Sequence, residues 1–412
     1  MKILIIGGGG REHAIITALA KSPHNPTLYC APGNAGIAQL ATCLPIAATD
    51  LDAILNWATE HQPDWVFVAP DDPLAMGLVD KLEAVGISAF GPRQNAAIIE
   101  SSKVFSKAFM QRHNIPTANY AAFDNETDAL NYIKTQTVPI VVKDDGLALG
   151  KGVTIAQTQN EAADAVAAIF GGKPNRRVVI EEYMTGPEVT VLAFTDGKTV
   201  VPMPSSQDHK RAYDNDEGPN TGGMGAICPS PHYTPEIAEL CAKTIFEPTI
   251  KGLAAENRPF KGVLYFGLML TPDGPRVIEY NARFGDPEAQ AVLPLLETDL
   301  VNICQATINE TLADLPIQWQ KKAAACVVLA SGGYPGEYNK GVPITGFDQV
   351  TNATVYHAGT ATKNNRIVTN GGRVLGVTAV ADNLPEALAN AYDALTPIKF
   401  EGMFRRNDIG RL

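Results

Sequence analysis

Three times in the first hundred residues a short apolar run ends in a loop rich in glycine or proline. That repetition narrows the opening of the chain to one kind of fold. Residues 3–6, Ile-Leu-Ile-Ile, read as a strand, followed by Gly7, Gly8, Gly9 and Gly10 and a helix over 11–20. Residues 28–30 and 65–68 read as further strands, followed by Ala31-Pro32-Gly33-Asn34-Ala35-Gly36 and Ala69-Pro70-Asp71-Asp72-Pro73. Strand, loop and helix in this alternation build parallel βαβ units, in which ligands gather at the C-terminal strand ends. These loops therefore stand where binding happens.

At 412 residues the chain exceeds what one core supports, so several domains are expected. A helix over 101–113 leads into a second compact unit with strands at 139–143, 153–156 and 178–182 and a helix at 161–170. Apolar alternation resumes at 190–195, 262–270 and 277–281. The last block carries strands, including 374–380 after the turn Asn370-Gly371-Gly372, and a helix at 385–395. The expected division is 1–117, 118–188, 189–324 and 325–412.

The balance of charge excludes some partners. A formal charge of -11 with scattered lysines and arginines does not make the basic surface that a nucleic acid needs. No run approaches the length of a membrane span, and the opening apolar run reaches glycine too soon for a signal-peptide core. Six cysteines without a CxxC pair read as reduced thiols, and a cytoplasmic enzyme is expected.

Four segments carry chemistry. In Val142-Lys143-Asp144-Asp145-Gly146-Leu147-Ala148-Leu149-Gly150-Lys151-Gly152 a strand ends in lysine and a glycine loop follows. Such a loop can fold over a polyphosphate with Lys143 and Lys151 as point charges, or it can be a plain hairpin. It is not a Walker A loop, because no GK[ST] and helix follow. Ile180-Glu181-Glu182-Tyr183 leads through a turn to Glu188; it suits the edge of an adenine and a ribose, or a solvated acidic strand end. In Val277-Ile278-Glu279-Tyr280-Asn281-Ala282-Arg283, Glu279 and Asn281 share one strand face about 6 to 7 Å apart, a donor pair that suits Mg²⁺. Arg283, on the same side, suits a phosphoryl group or a carboxylate. The fourth segment, Gln207-Asp208-His209-Lys210-Arg211 followed by 218–225, reads as a long functional connection. No HxH or HxxxH spacing occurs, so His209 reads as a hydrogen-bonding residue.

In this order the segments resemble the ATP-grasp superfamily, and more narrowly its glycinamide ribonucleotide synthetases (phosphoribosylamine–glycine ligases). Gly7-Gly8-Gly9-Gly10-Arg11-Glu12-His13-Ala14, Pro32-Gly33-Asn34-Ala35-Gly36, Gln207-Asp208-His209-Lys210-Arg211, the glycines of 218–225 and Asn281-Ala282-Arg283-Phe284-Gly285-Asp286-Pro287-Glu288 carry the resemblance.

It implies an α/β (α+β) ATP-grasp architecture: a Rossmann-like N-terminal domain with a parallel sheet, a small mobile lid, and a β-rich C-terminal domain. It implies that ATP, glycine and 5-phosphoribosylamine give ADP, phosphate and glycinamide ribonucleotide through glycyl phosphate in purine synthesis, with Mg²⁺ or Mn²⁺, in a monomer or weak homodimer. The residues it assigns to ATP are Lys103, Lys143, Gly146, Gly150, Lys151, Gly152, Glu181, Glu182, Tyr183 and Glu188. Glu279 and Asn281 would hold the metal, and Lys143, Asp208 and Arg283 would be catalytic. Gly8, Gly9, Gly10, Arg11, Glu12, Asn34, Asp71, Lys210, Arg211 and Asp286 would bind substrate. The chain departs from the family pattern at Asp71, usually glutamate, and at Asp144, usually alanine. Rival readings are a biotin-carboxylase-like enzyme, a nicotinamide-dependent oxidoreductase and a non-catalytic nucleotide sensor.

Overall fold

The computed structural model describes residues 1–147, 152–172 and 175–411. Its opening sheet is parallel, with strands in the order Thr42–Cys43, Thr27–Pro32, Lys2–Gly7, Trp65–Val68, Ser88–Phe90. Lys2–Gly7 lies in the middle and is buried on both faces, with Ile3 and Ile5 in one core and Leu4 and Ile6 in another. An unbroken apolar run is what such a strand requires. The strand order reverses beside Lys2–Gly7. The loop after it (Gly8 and Gly9) and the loop after Trp65–Val68 (Ala69, Pro70) therefore flank the crevice where doubly wound sheets bind ligands.

The second unit is a four-stranded antiparallel sheet, Tyr120–Phe123, Val178–Glu182, Ile140–Asp144, Val153–Ala156. The helices Glu126–Ile133 and Gln159–Phe170 cover it and share its separate core of Ala129, Ile133, Val142, Val166, Phe170 and Ile180. A third sheet runs Val200–Pro202, Glu188–Asp196, Lys261–Thr271, Gly274–Asn281. A fourth runs Gln207–Asp208, Gly225–Cys228, Ala323–Ala330, Arg373–Ala381, Thr354–His357. Ala323–Ala330 is buried at every position: Ala324 and Cys326 face the core shared with the opening block, while Ala325, Val327 and Leu329 face the helix Leu384–Ala394.

The structure departs from the sequence reading in two places. The helix expected over 101–113 is found as Lys103–Arg112, but a separate helix that was not expected, Gln94–Ser101, precedes it. Ser102 between them is extended (φ −136°, ψ 110°), and its hydroxyl accepts from the Phe105 amide at 3.1 Å. Serine competes for backbone groups and favours an N-cap over a helix interior, so the chain restarts here and Lys103 becomes the first residue of a new helix. Residues 207–228 are more ordered than a long connection. They hold the hairpin Arg211–Tyr213 with Glu217–Asn220, and the strands Gln207–Asp208 and Gly225–Cys228 are built into the C-terminal sheet.

At Gly8 an added Cβ would lie 2.5 Å from the Gly33 carbonyl oxygen, so only glycine lets the two binding loops approach so closely. Gly8→Ala is expected to destabilise the protein by roughly 1–3 kcal/mol through this backbone clash. Thermal unfolding checks it: an unchanged midpoint would show that the loops are not packed in this way.

Candidate active site

The strand pairing of the second unit sets Lys143 opposite Val179 and Glu181 opposite Val141, so both side chains lie on one face as diagonal neighbours. Lys143 Nζ lies 3.0 Å from Glu181 Oε2, and Lys107 Nζ lies 3.1 Å from the same oxygen. All three residues are at least 95% buried, with exposures of 5% for Lys143, 2% for Lys107 and 3% for Glu181. Lys143 also donates to the Ile278 carbonyl at 3.2 Å, which joins this sheet to the strand Gly274–Asn281. Lys103 donates to the Gly146 carbonyl at 2.7 Å, and burial lowers its pKa against the pull of Glu279. Gly146 has φ +111°, which glycine adopts freely and other residues do not.

Glu279 and Asn281 occupy alternate positions at the end of Gly274–Asn281. Burial works to raise the Glu279 carboxyl, but Lys210, Lys143, Lys103 and Arg283 together hold it below its ordinary range, so it stays ionised. The Asn281 side-chain oxygen accepts from Arg283 Nη2 at 3.2 Å. Burial opposes the charge on Arg283, but Glu100 and then Asp71 outweigh it and keep the guanidinium charged. Glu100 takes Arg283 Nη2 at 2.9 Å on one oxygen and the Ala282 amide at 2.6 Å on the other. An ionised carboxylate and an amide oxygen make a two-oxygen donor set, which fits Mg²⁺ completed by phosphate and water. Among the described residues no group of three or more His, Cys, Asp or Glu converges on a point as a self-sufficient metal cage would.

A second constellation meets the first. Gly9 caps the helix Gly10–Ala20, and its amide donates to Glu12 Oε2 at 2.6 Å; the other Glu12 oxygen takes Arg11 Nε at 2.6 Å. Glu12 thus serves the helix start and Arg11. Arg11 Nη1 and Arg283 Nη1 each donate to the Phe284 carbonyl at 3.2 Å, tying the glycine loop to the segment after the strand Gly274–Asn281. Asp286 borders Gly9 and Gly10: an added Cβ would come within 3.5 Å and 3.3 Å of its carboxylate oxygens. Arg373, from the C-terminal sheet, holds that carboxylate at 3.2 Å. Asn34 donates to the Gly8 carbonyl at 2.9 Å and to the His357 carbonyl at 2.7 Å, so its amide braces the second loop between two domains.

The remaining sequence-assigned residues divide. Lys210 and Glu188 pair at 2.8 Å beside Glu279; burial opposes the Lys210 charge, and Glu188 and Glu279 push its pKa well up. Burial, together with repulsion from Glu288, holds the Asp208 carboxyl well above its usual range, and its Oδ1 is buried without a partner. Asp71 lies close enough to Glu100 and Arg283 to affect both. Gly152 returns the loop by accepting the Asp144 amide at 2.9 Å. Tyr183 is exposed. Glu182 is engaged by the Asn119 amide at 2.9 Å and by Arg276 Nη1 at 2.8 Å, so its carboxylate anchors the two sheets to each other. Arg211 bonds inside its own hairpin, to the Asp216 carbonyl at 3.1 Å. His209 accepts the Gly410 amide on Nε2 at 3.0 Å. Gly150 and Lys151 lie outside the described residues. Asp144, one of the departures from the family pattern, is paired with Arg176, which offsets its charge.

Sequence reasoning missed Glu100, Lys107, Glu288 and Arg373. Lys107 carries a faint signal, being one helical turn from Lys103 in Lys103–Arg112. The other three reach the site only through tertiary packing.

Known proteins resemble this chain along its whole length. Family models described as the N domain, the ATP-grasp (A) domain and the C domain of phosphoribosylglycinamide synthetase match residues 1–100, 101–289 and 324–412. A phosphoribosylamine–glycine ligase from Caldanaerobacter subterraneus subsp. tengcongensis is 46% identical over 413 residues, covering 99% of each chain. The crystal structure of a phosphoribosylamine–glycine ligase from Thermotoga maritima superposes with a TM-score of 0.87 at 34% identity, covering 99% of this chain and 100% of that one. A biotin carboxylase from Campylobacter jejuni superposes with a TM-score of 0.73 at 16% identity, covering 98% of this chain and 92% of that one, a likeness of fold alone.

Removing the carboxylate that pins Arg283 and the Ala282 amide leaves the buried amide unpaired and takes from Arg283 its ion-pair partner. Glu100→Ala is expected to lower kcat by roughly 10–100-fold, the cost typical of losing an outer support of a metal or phosphate ligand. Steady-state kinetics test it, and an unaltered kcat would mean that Arg283 does not depend on Glu100.

Proposed function

Since this chain belongs to the phosphoribosylglycinamide synthetase family, we infer that it joins glycine to 5-phosphoribosylamine at the expense of ATP, making glycinamide ribonucleotide, ADP and phosphate for purine synthesis. The observation that carries the residue-level reading is the convergence of Lys103, Lys143, Lys210 and Arg283 on the Glu279 carboxylate.

The physical task is to bring two anions together. A carboxylate is a poor electrophile, and the glycine carboxylate must approach the γ-phosphate of ATP despite their repulsion. Lys143 and Lys103 neutralise phosphate charge from the lid side and the helix side, and Arg283 does so from the metal strand. A divalent cation on Glu279 and Asn281, Mg²⁺ or Mn²⁺, would supply further charge neutralisation between the phosphates. The glycine carboxylate oxygen takes the γ-phosphoryl group, ADP leaves, and glycyl phosphate remains. The amine of phosphoribosylamine then attacks the acyl carbon, the C–O bond to phosphate breaks, and the amide forms with loss of a proton.

Glycyl phosphate is labile to water, which favours closure of the second unit with its loop 146–152 before chemistry. Within this reading Glu181, Glu182 and Tyr183 line the adenine and Glu188 takes the ribose. Gly8, Gly9, Gly10 and Arg11 offer the start of the helix Gly10–Ala20 to the 5-phosphate of phosphoribosylamine, with Asn34 and Asp286 beside it. Asp208 is the candidate for the glycine amino group, supported by its buried, unpartnered oxygen. The four-part division at 117, 188 and 324 is supported by the sheets, with the strands Gln207–Asp208 and Gly225–Cys228 crossing it. Six free cysteines support a cytoplasmic setting.

Lys143→Ala is expected to lower turnover by roughly 10²–10³, the loss typical of one charge-stabilising donor. An unchanged kcat at saturating ATP removes Lys143 from the mechanism. Glu279→Ala is expected to abolish activity with at most partial rescue by excess Mg²⁺, and normal Mg²⁺ dependence in that variant would overturn the metal assignment. Glycine-dependent phosphate release with phosphoribosylamine, and none with bicarbonate, separates this reaction from that of a carboxylase.

A further inference from the structure

We propose that Lys107 is a positioning residue for ATP: by sharing Glu181 with Lys143, it leaves Lys143 a net positive charge to offer to the nucleotide phosphates. This deepens, and rests on, the reading of Lys143 as a phosphate ligand.

Glu181 Oε2 lies 3.0 Å from Lys143 Nζ and 3.1 Å from Lys107 Nζ, while Oε1 is buried with no partner. Two ammonium groups thus meet one carboxylate, and the cluster carries one uncompensated positive charge. With Lys143 and Glu181 alone the pair would be closed and neutral, and a polyphosphate would have to compete with Glu181 for Lys143. Lys107 is fixed from its other side by donating to Thr117 Oγ1 at 2.7 Å, and Thr117 Oγ1 donates to the Val277 carbonyl at 2.6 Å. Lys143 meets the neighbouring carbonyl, that of Ile278, at 3.2 Å. Lys143 directly, and Lys107 through the Thr117 hydroxyl, are thus tied to successive carbonyls of the strand that ends at Glu279 and Asn281, and the charged cluster keeps register with it.

The groups facing Lys107 are Glu181, Lys143 and, farther off, Glu182, with the Tyr120 ring 6.0 Å from its Nζ. Burial depresses Lys107, and Glu181 limits the fall, to about 8. The sign is fixed: below that pH the cluster is positive, and as pH rises through it Lys107 becomes neutral and ATP binding weakens.

The test is calorimetric ATP affinity of the full-length protein combined with steady-state kinetics. Lys107→Met is expected to weaken ATP binding about tenfold, the scale of one partly screened charge within several ångströms, while KM for glycine stays within about threefold. Lys107→Arg is expected to restore affinity. In a Glu181→Gln background, Lys107→Met is expected to cost clearly less, because no carboxylate competes with the phosphates for Lys143; an equal cost in both backgrounds would mark Lys107 as a mere distant charge or structural residue and overturn the proposal. Wild-type protein supplies a measurement independent of any variant's folding: ATP affinity should fall between about pH 7.5 and about pH 9.5, and a flat profile overturns the proposal. Lys143→Ala separates the two levels. If it binds ATP normally, the phosphate-ligand reading fails; if it binds poorly while Lys107→Met binds normally, only the role of Lys107 fails.

Discussion

The buried carboxylate of Glu100 holds the site in one piece. It comes from the helix Gln94–Ser101 at the edge of the opening block, yet both its oxygens are spent on the continuation of the strand Gly274–Asn281, at the Ala282 amide and Arg283. Arg283 in turn reaches Asn281 and shares the Phe284 carbonyl with Arg11. Through these bonds the glycine loop after Lys2–Gly7 and the end of the strand Gly274–Asn281 are set relative to each other. A reaction that passes an acyl group between two substrates needs that fixed relation, because small misplacements cost orders of magnitude in rate.

Charge is balanced across the domains. Glu279 is kept ionised by lysines from the second unit, from the helix Lys103–Arg112 and from the 207–228 region, and Glu181 and Glu188 keep two of these lysines oriented. Each of these carboxylates is met by at least one cation from outside its own sheet. The charge cluster is therefore complete only when the sheets are packed together, while the second unit keeps a core of its own.

The C-terminal block contributes more than a cover. Arg373 grips the Asp286 carboxylate beside the glycine loop, and the backbone around His357 holds Asn34. Two strands from 207–228 complete its sheet. The residues beside the substrates thus depend on a chain segment more than three hundred residues away from the loop they support.

Much of this was readable in the residues. Glycine at positions 7–10 after an apolar run, and alternation in Glu279-Tyr280-Asn281, are local facts: backbone sterics and the two-residue period of a strand enforce them wherever the segment sits. The parallel opening sheet and the shared strand face of Glu279 and Asn281 follow from such rules. The helix Gln94–Ser101 was not read because only the cap geometry at Ser102 separates it from the one that follows. Glu100 and Arg373 were invisible, and Lys107 all but so, for a different reason. A charged residue in a helix or strand reads as solvated until the fold buries it, and only packing decides which opposite charge it meets. The sequence alone determined the elements and the chemistry each could carry; the tertiary structure decided which charges share a site, because burial and pairing belong to contacts between segments distant along the chain.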